Sequence, residues 1–114
     1  MQYRTGNAIA LDQMIELYVA STLAERRPAG DRERMEAMLR NANLVITAWD
    51  GDLLVGISRS LTDFVYATYL SDLAVRLSHQ RQGIGKELVR LTREAAPQVT
   101  AMATMMITAP PCTT

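Results

Sequence analysis

The sequence predicts an α+β fold in which a mostly antiparallel central sheet is flanked by helices. Three observations support this class. Two helical patterns precede residue 43, three strand-like runs follow one another between residues 44 and 75, and a glycine-containing turn then opens into a third helical pattern. With 114 residues, the chain has room for a single domain, residues 1–114, with one modest hydrophobic core.

The N-terminal part of the chain predicts a weak strand and two short helices. Residues 2–9 have poor strand propensity and lie at most at a sheet edge. From Asp12 onward apolar residues recur at helical spacing, and this first helix must end before Pro28. Asp31 is the predicted N-cap of a second helix. The apolar face of that helix consists of Met35, Met38, Leu39 and Ala42.

The middle of the chain changes to strand patterns. Residues 44–49 and 53–61 are rich in β-branched and other apolar side chains, and the DGD turn at 50–52 joins them as a hairpin. Residues 64–75 contain valine, tyrosine and threonine, which favours a third, long antiparallel strand. Residues 99–108 can form one more strand.

The turn in HQRQGIGKELV, residues 79–89, has the features of an anion site. Gly83 and Gly85 allow successive backbone N–H groups to point into one concavity, and the start of a helix attracts negative charge. Arg81 and Lys86 add mobile positive charge. A phosphate site and a loop that merely needs positive φ both agree with this pattern. The helix that follows has an apolar stripe made of Ile84, Leu88, Leu91 and Ala95.

Composition excludes several classes of protein. Twelve basic and twelve acidic residues give no net charge, which argues against nucleic acid as the main partner. Cys112 has no second cysteine with which to pair, so a reducing, cytoplasmic location is expected and a nucleophilic role is not. No apolar run approaches the roughly 18 residues of a membrane helix, and no signal peptide or metal site is predicted. The glycine spacing fits neither a Walker loop nor a Rossmann fingerprint.

Residues 69–95, YLSDLAVRLSHQRQGIGKELVRLTREA, resemble the acetyl-coenzyme A binding segment of the GNAT N-acetyltransferases. That segment has a strand ending in a D-L-A-V-like sequence, a short link, a Q/R-x-x-G-x-G/A loop and a helix. The three defining loop positions are occupied by Gln80, Gly83 and Gly85. The upstream order of elements also agrees, including Gly56 within its strand, so the resemblance extends from residue 1 to about 108.

The resemblance implies transfer of an acetyl group from acetyl-CoA to a primary amine of a small molecule or peptide. In that family the pantetheine arm lies beside the strand that ends in D-L-A-V, and the pyrophosphate lies on main-chain amides of the loop. The implied cofactor-binding residues are Leu73, Ala74, Val75, Gln80, Arg81, Gln82, Gly83, Ile84, Gly85 and Lys86.

Direct transfer needs a proton acceptor for the amine, a donor to the oxyanion and an acid for the leaving thiolate. The N–H of Leu73 is the expected oxyanion donor. Asp72 is the predicted catalytic base because it lies in the strand beside the presumed thioester; water is the alternative base, and capping of a backbone amide is the alternative role for Asp72. Ser71 stands where some relatives carry glutamate.

Other polar residues have two interpretations each. His79 can titrate near neutrality, but its position is more typical of a solvent-facing link. Tyr66 or Tyr69 can line an amine cleft or pack in the core. The positive charges of the segment AERRPAGDRER can meet an acidic acceptor or form a solvated helix end; these are Arg26, Arg27 and Arg32.

The chain departs from the family after residue 108. Family members continue into a further helix, which often carries the tyrosine that protonates the thiolate, and two more strands; this sequence has no tyrosine after Tyr69. We therefore expect an open sheet edge and a homodimer, with apolar methionines at 102, 105 and 106 available for the contact. The alternative function is a catalytically degenerate acyl-CoA-binding or dimeric interaction module of the same fold.

Overall fold

The computed structural model describes residues 1–104 and contains a mixed five-stranded sheet with helices on both faces. The strands are β1 (Gln2–Thr5), β2 (Leu44–Asp50), β3 (Leu53–Thr62), β4 (Ala67–Val75) and β5 (Ala101–Thr104). They lie in the order β1-β2-β3-β4-β5, and each neighbouring pair is antiparallel except β4 and β5, which are parallel. The predicted α+β class with a mostly antiparallel sheet is confirmed.

The helices lie in two layers. Helices α1 (Leu11–Ala20) and α2 (Arg32–Asn41) cover one face of the sheet, and α3 (Ile84–Ala95) covers the other. Because α3 connects β4 to β5 across one face, the chain returns in the same direction and the two strands are parallel. None of the helices within residues 1–104 is long and apolar enough to cross a bilayer.

The N-terminal helices follow the predicted pattern, with one difference. The Asp31 carboxylate accepts a hydrogen bond from the backbone N–H of Arg34 at 3.1 Å, so the predicted N-cap is confirmed. The first helix ends at Ala20, well before Pro28, because Thr22 adopts a φ of 71° that no right-handed helix accommodates. A 3₁₀ helix, Leu23–Arg26, then leads towards α2.

The third strand begins later than predicted. Residues 64–66 form a turn because the Asp63 carboxylate accepts the N–H groups of Val65, Tyr66 and Ala67 at 2.8–3.0 Å, and Phe64 has a φ of 63°. A local side chain thus competes successfully with strand pairing. In the predicted strand at 99–108, residues 101–104 are β5, and residues 105–108 lie outside the described residues.

Strand β4 contains one extra residue relative to β3. Arg59 pairs with Asp72 and Ser60 pairs with Leu70, so Ser71 forms a bulge. Beyond the bulge, Ala74 packs in the layer below α1 and α2. Leu73 and Val75 pack in the layer below α3. The end of β4 is therefore held between both helical layers.

Replacement of Gly56 by alanine is expected to destabilise the contact between β3 and α3. A Cβ atom at this position would lie 3.0 Å from Leu88 Cδ1 and 3.2 Å from Ile84 Cγ2, so the helix would have to move. Overpacking of this kind typically costs about 1–3 kcal/mol of unfolding free energy, which urea denaturation measures. Gly30→Ala is the matched control because a Cβ there meets no atom within 4 Å. Equal stability of the two variants would contradict the prediction.

Candidate functional site

Helix α3 begins at a turn that presents free backbone N–H groups. Arg81 and Gly83 have φ values of 66° and 83°, and Gly83 is the N-cap. Its carbonyl oxygen accepts the N–H of Glu87 at 3.0 Å, which is the first bond of the helix. The N–H groups of residues 81–86 have no hydrogen-bond acceptor within the described part of the chain. A set of unpaired amides at the start of a helix is suited to an anion.

The side chains of this turn connect it to the end of β4. The Gln80 amide Nε2 donates to the carbonyl oxygen of Val75 at 3.0 Å. A Cβ at Gly85 would lie 3.7 Å from Val75 and 4.0 Å from Leu73, which is ordinary contact. Among the remaining predicted residues of the turn, one side chain is buried, that of Ile84. The exposed ones are Arg81, Gln82 and Lys86.

The last residues of β4 present backbone groups at an edge of the sheet. β5 pairs with Ala67–Leu70, and within residues 1–104 no strand pairs with the outer edge of residues 71–75. The N–H of Arg76 donates to Val55 at 2.8 Å. Since hydrogen-bonded pairs alternate along an antiparallel ladder, the N–H and C=O groups of Leu73 and Val75 point away from β3, towards this edge. The backbone N–H and C=O groups of Ala74 point towards β3 instead. Ala74 therefore contributes few backbone hydrogen-bonding groups to the edge.

Asp72, the predicted base, lies at the centre of a buried cluster of polar side chains. Its side chain has no exposed surface. One carboxylate oxygen accepts from the Tyr18 hydroxyl at 2.5 Å and from Arg59 Nε at 2.6 Å. The other oxygen accepts from Arg27 Nε at 2.6 Å. Burial alone would raise the pKa of Asp72, but the hydrogen bonds and charge of Arg59, with the contacts from Tyr18 and Arg27, hold that pKa below its ordinary value.

The two arginines also hold the bulge. Arg27 Nη2 donates to the carbonyl oxygen of Ser71, and Arg59 Nη2 donates to the Ser71 hydroxyl, both at 2.9 Å. Arg59 Nη1 donates to the carbonyl of Met38 in α2 at 3.3 Å. The cluster therefore connects α1, α2, the segment between these helices, β3 and β4. Asp72 directly precedes Leu73, and the bulged residue Ser71 lies two residues before it.

The other predicted polar residues lie apart from this cluster. His79 contacts Asp50 in the turn between β2 and β3, with Nε2 and Oδ2 3.0 Å apart, and its side chain is largely covered. Tyr66 and Tyr69 are 64% and 38% exposed, so neither packs in the core. Arg26 is exposed, as a solvated helix end predicts. Arg32 is also exposed, in an ion pair with Asp12, and agrees with the same interpretation.

Sequence reasoning missed Tyr18, Arg27 and Arg59 as partners of Asp72. The interpretation of Arg27 as part of a solvated helix end is wrong, because its side chain is largely buried against Asp72. A signal was present, since Arg59 is the one charged residue in LLVGISRSL and Asp72 is the one charged residue in ATYLSDLAV. Two such residues on neighbouring buried strands need each other, because a buried charge without a partner is costly. No comparable signal indicated Tyr18. Within residues 1–104, no group of three or more His, Cys, Asp and Glu side chains is placed to hold a metal ion.

Comparison with known proteins identifies the fold. The model of the acetyltransferase (GNAT) family matches residues 11–111. A GNAT family acetyltransferase from Streptococcus pneumoniae TIGR4 superposes with a TM-score of 0.74 and 26% identity, over 90% of this chain and 73% of that one. A ribosomal-protein-alanine N-acetyltransferase from Brucella melitensis biovar Abortus 2308 gives a TM-score of 0.70 and 18% identity, over 91% and 79%.

A third similar structure contains coenzyme A. An aminoglycoside 6'-N-acetyltransferase complexed with coenzyme A gives a TM-score of 0.70 and 22% identity, over 85% of this chain and 56% of that one. A comparison with curated protein sequences finds no match. The match of the family model over most of the chain, together with the sheet, the bulged β4 and the glycine turn at α3, shows that this chain belongs to the GNAT acetyltransferase family.

Proposed function

We propose that the chain is an N-acetyltransferase that moves an acetyl group from acetyl-CoA to a primary amine by direct attack. The observation that carries this proposal is a continuous row of available backbone groups. The row begins with the outward N–H and C=O groups of Leu73 and the outward N–H of Val75, and it continues into the N–H groups of residues 81–86. The two parts meet where Gln80 bonds the carbonyl of Val75.

These backbone groups match the chemistry of acetyl-CoA. Its pantetheine arm contains amides, which pair with an open strand edge as another strand would. Its diphosphate is an anion, which suits the amides of residues 81–86 and the positive end of α3, with Arg81 and Lys86 exposed beside them. Acetyl-CoA would supply the activated acetyl group. The outward N–H of Leu73 is the candidate donor to the carbonyl oxygen on which negative charge develops.

The proton of the amine has two candidate acceptors, Asp72 and water. Asp72 is close to the proposed thioester position, but both of its oxygens already accept hydrogen bonds from cationic or phenolic groups. A carboxylate whose pKa is held low is a weak base. This pairing favours water as the acceptor and gives Asp72 the task of holding the strand.

The alternative function is an acyl-CoA-binding module without turnover. The contacts of Asp72 favour this alternative. A carboxylate fully engaged by Arg27, Arg59 and Tyr18 is not free to take part in proton transfer. Both proposals require binding of coenzyme A at the row of backbone groups. They differ in whether an amine accelerates release of the thiol.

Thiol release from acetyl-CoA separates the two functions. The assay would combine isothermal titration with coenzyme A and a coloured thiol reagent, with a panel containing an aminoglycoside, a peptide with an N-terminal alanine, and simple amino acids and their amides. Amine-dependent release supports the transferase. Binding without release supports the module, and absence of coenzyme A binding contradicts both. Homodimerisation and a cytoplasmic location stay predictions; light scattering of the purified protein tests the first.

A further inference from the structure

The buried cluster around Asp72 carries an excess of positive charge. Asp72 supplies one negative charge, whereas Arg27 and Arg59 supply two positive charges. Tyr18 is neutral, since burial and the neighbouring carboxylate raise its pKa well above the ordinary value. No other acidic side chain within residues 1–104 forms an ion pair with either arginine. A buried charge without a counter-charge is costly, so this excess calls for an anion.

Arg27 is the more exposed of the two arginines in the cluster, and it is the one outside the sheet. Its side chain is 13% exposed against 9% for Arg59, and it lies in the segment between α1 and α2 rather than in a strand. Its guanidinium has five N–H donors, of which three bind Asp72, the carbonyl of Arg26 and the carbonyl of Ser71. Two N–H donors therefore have no acceptor among the described residues.

Arg27 is also close to the proposed site of transfer. It contacts the carbonyl of Ser71, two residues before Leu73, which is about 7 Å along a strand. The N–H of Leu73 is the proposed donor to the reacting carbonyl. A molecule whose amine reaches that carbonyl from the side of α1 and α2 passes the guanidinium of Arg27.

This inference rests on the proposed transferase function. We propose that Arg27 is a specificity-determining residue that binds a carboxylate on the acceptor, so that the preferred acceptors are amines that also carry a carboxylate, such as amino acids. A guanidinium held rigidly by Asp72 and Ser71 keeps its orientation for a further charge-assisted hydrogen bond. Polycationic amines are disfavoured at the same place by repulsion from the positive excess.

Matched acceptors test the proposal. The kcat/KM for thiol release is measured for amino acids with one, two or three carbons between amine and carboxylate, each beside its own amide. We expect at least one acid to exceed its amide by about tenfold or more. Arg27→Gln should reduce that ratio towards one, while the dissociation constant of coenzyme A changes less than about twofold. Arg27→Lys keeps the positive charge but lacks the planar guanidinium that can donate two parallel hydrogen bonds to a carboxylate. It should give an intermediate ratio.

Controls separate recognition from folding. Arg27→Gln leaves Asp72 paired with Arg59 and Tyr18, one charge of each sign, so the variant should fold. Arg26→Gln is the matched control, since the Arg26 side chain is exposed and only its backbone carbonyl contacts Arg27. Equal rates for acids and amides, or a preference that survives Arg27→Gln, overturn the proposal. An equal loss on acids and amides in Arg27→Gln shows a purely structural role and also overturns it.

Failure of the transferase function gives a different result. If coenzyme A binds and no amine releases thiol, the transferase proposal is wrong. The recognition proposal is then decided by binding of N-acetyl amino acids and their N-acetyl amides to the coenzyme A complex. Tighter binding of the acids that depends on Arg27 supports it, and equal or absent binding overturns it.

Discussion

Coenzyme A is expected to bind at least tenfold more weakly to Gly83→Val than to the unaltered protein. Gly83 has a φ of 83°, and left-handed backbone costs an L-residue about 1–2 kcal/mol, most for a β-branched one. Relief of that strain rotates the peptide groups on either side and turns their N–H groups away from the concavity. A factor of ten in affinity corresponds to about 1.4 kcal/mol, so strain of this size suffices. Isothermal titration measures the change.

Gly51→Val is the control for backbone strain. Gly51 has a φ of 64° in the turn between β2 and β3, and a Cβ at either glycine meets no atom within 4 Å. The two variants should lose similar unfolding free energy, but Gly51→Val should bind coenzyme A normally. If Gly83→Val also binds normally, the N–H groups of residues 81–86 do not hold the diphosphate.

Replacement of Asp72 by asparagine is expected to lower the free energy of unfolding by about 3–5 kcal/mol at pH 7, because it leaves two buried arginines without a counter-charge. The pKa of Asp72 is lowered in the folded protein, so its contribution is complete above the ordinary value of 3.8 and is lost as pH falls through the lower folded-state pKa. The difference between the two proteins should therefore shrink below about pH 4. Urea denaturation at pH 7 and at several values below pH 5 measures it.

Asp12→Asn is the matched control for Asp72→Asn. Asp12 pairs with Arg32 at 2.5 Å, but both side chains are exposed, and such pairs contribute about 1 kcal/mol or less. Equal losses in the two variants would show that Asp72 does not hold its cluster. The pH–rate profile of Asp72→Asn also decides the proton acceptor: an unaltered profile assigns the proton to water, and a lost acidic limb assigns it to Asp72.

Local patterns predicted the elements well where one residue acts on its near neighbours. The helix start at Asp31, the hairpin around Gly51 and the end of α3 before Pro97 depend on interactions within a few residues, which a sequence displays directly. Boundaries were less reliable where two local preferences competed. The tyrosine and valine content of residues 64–66 favoured a strand, but the carboxylate of Asp63 took the N–H groups that pairing required.

The buried face of α3 shows a similar limit. The predicted stripe ended at Leu91 and Ala95, whereas the structure buries Thr92 and leaves Ala95 exposed. Thr92 is accepted in the core because its hydroxyl lies 2.7 Å from that of Ser58 and also donates to the carbonyl of Leu88. A polar residue at an inward position cannot be placed from hydrophobic spacing alone, since its burial depends on a partner in another element.

By itself, the sequence determined the order of helices and strands, the glycine turn and the family resemblance, because these rest on residue types at fixed short spacings. Only the tertiary structure decided what surrounds Asp72. Tyr18, Arg27 and Arg59 come from 54, 45 and 13 residues away in the chain, and the sheet and helices bring them to one carboxylate. Charge and burial act through space, so the strength of a base and the sign of its surroundings are set by folding and not by neighbours in sequence.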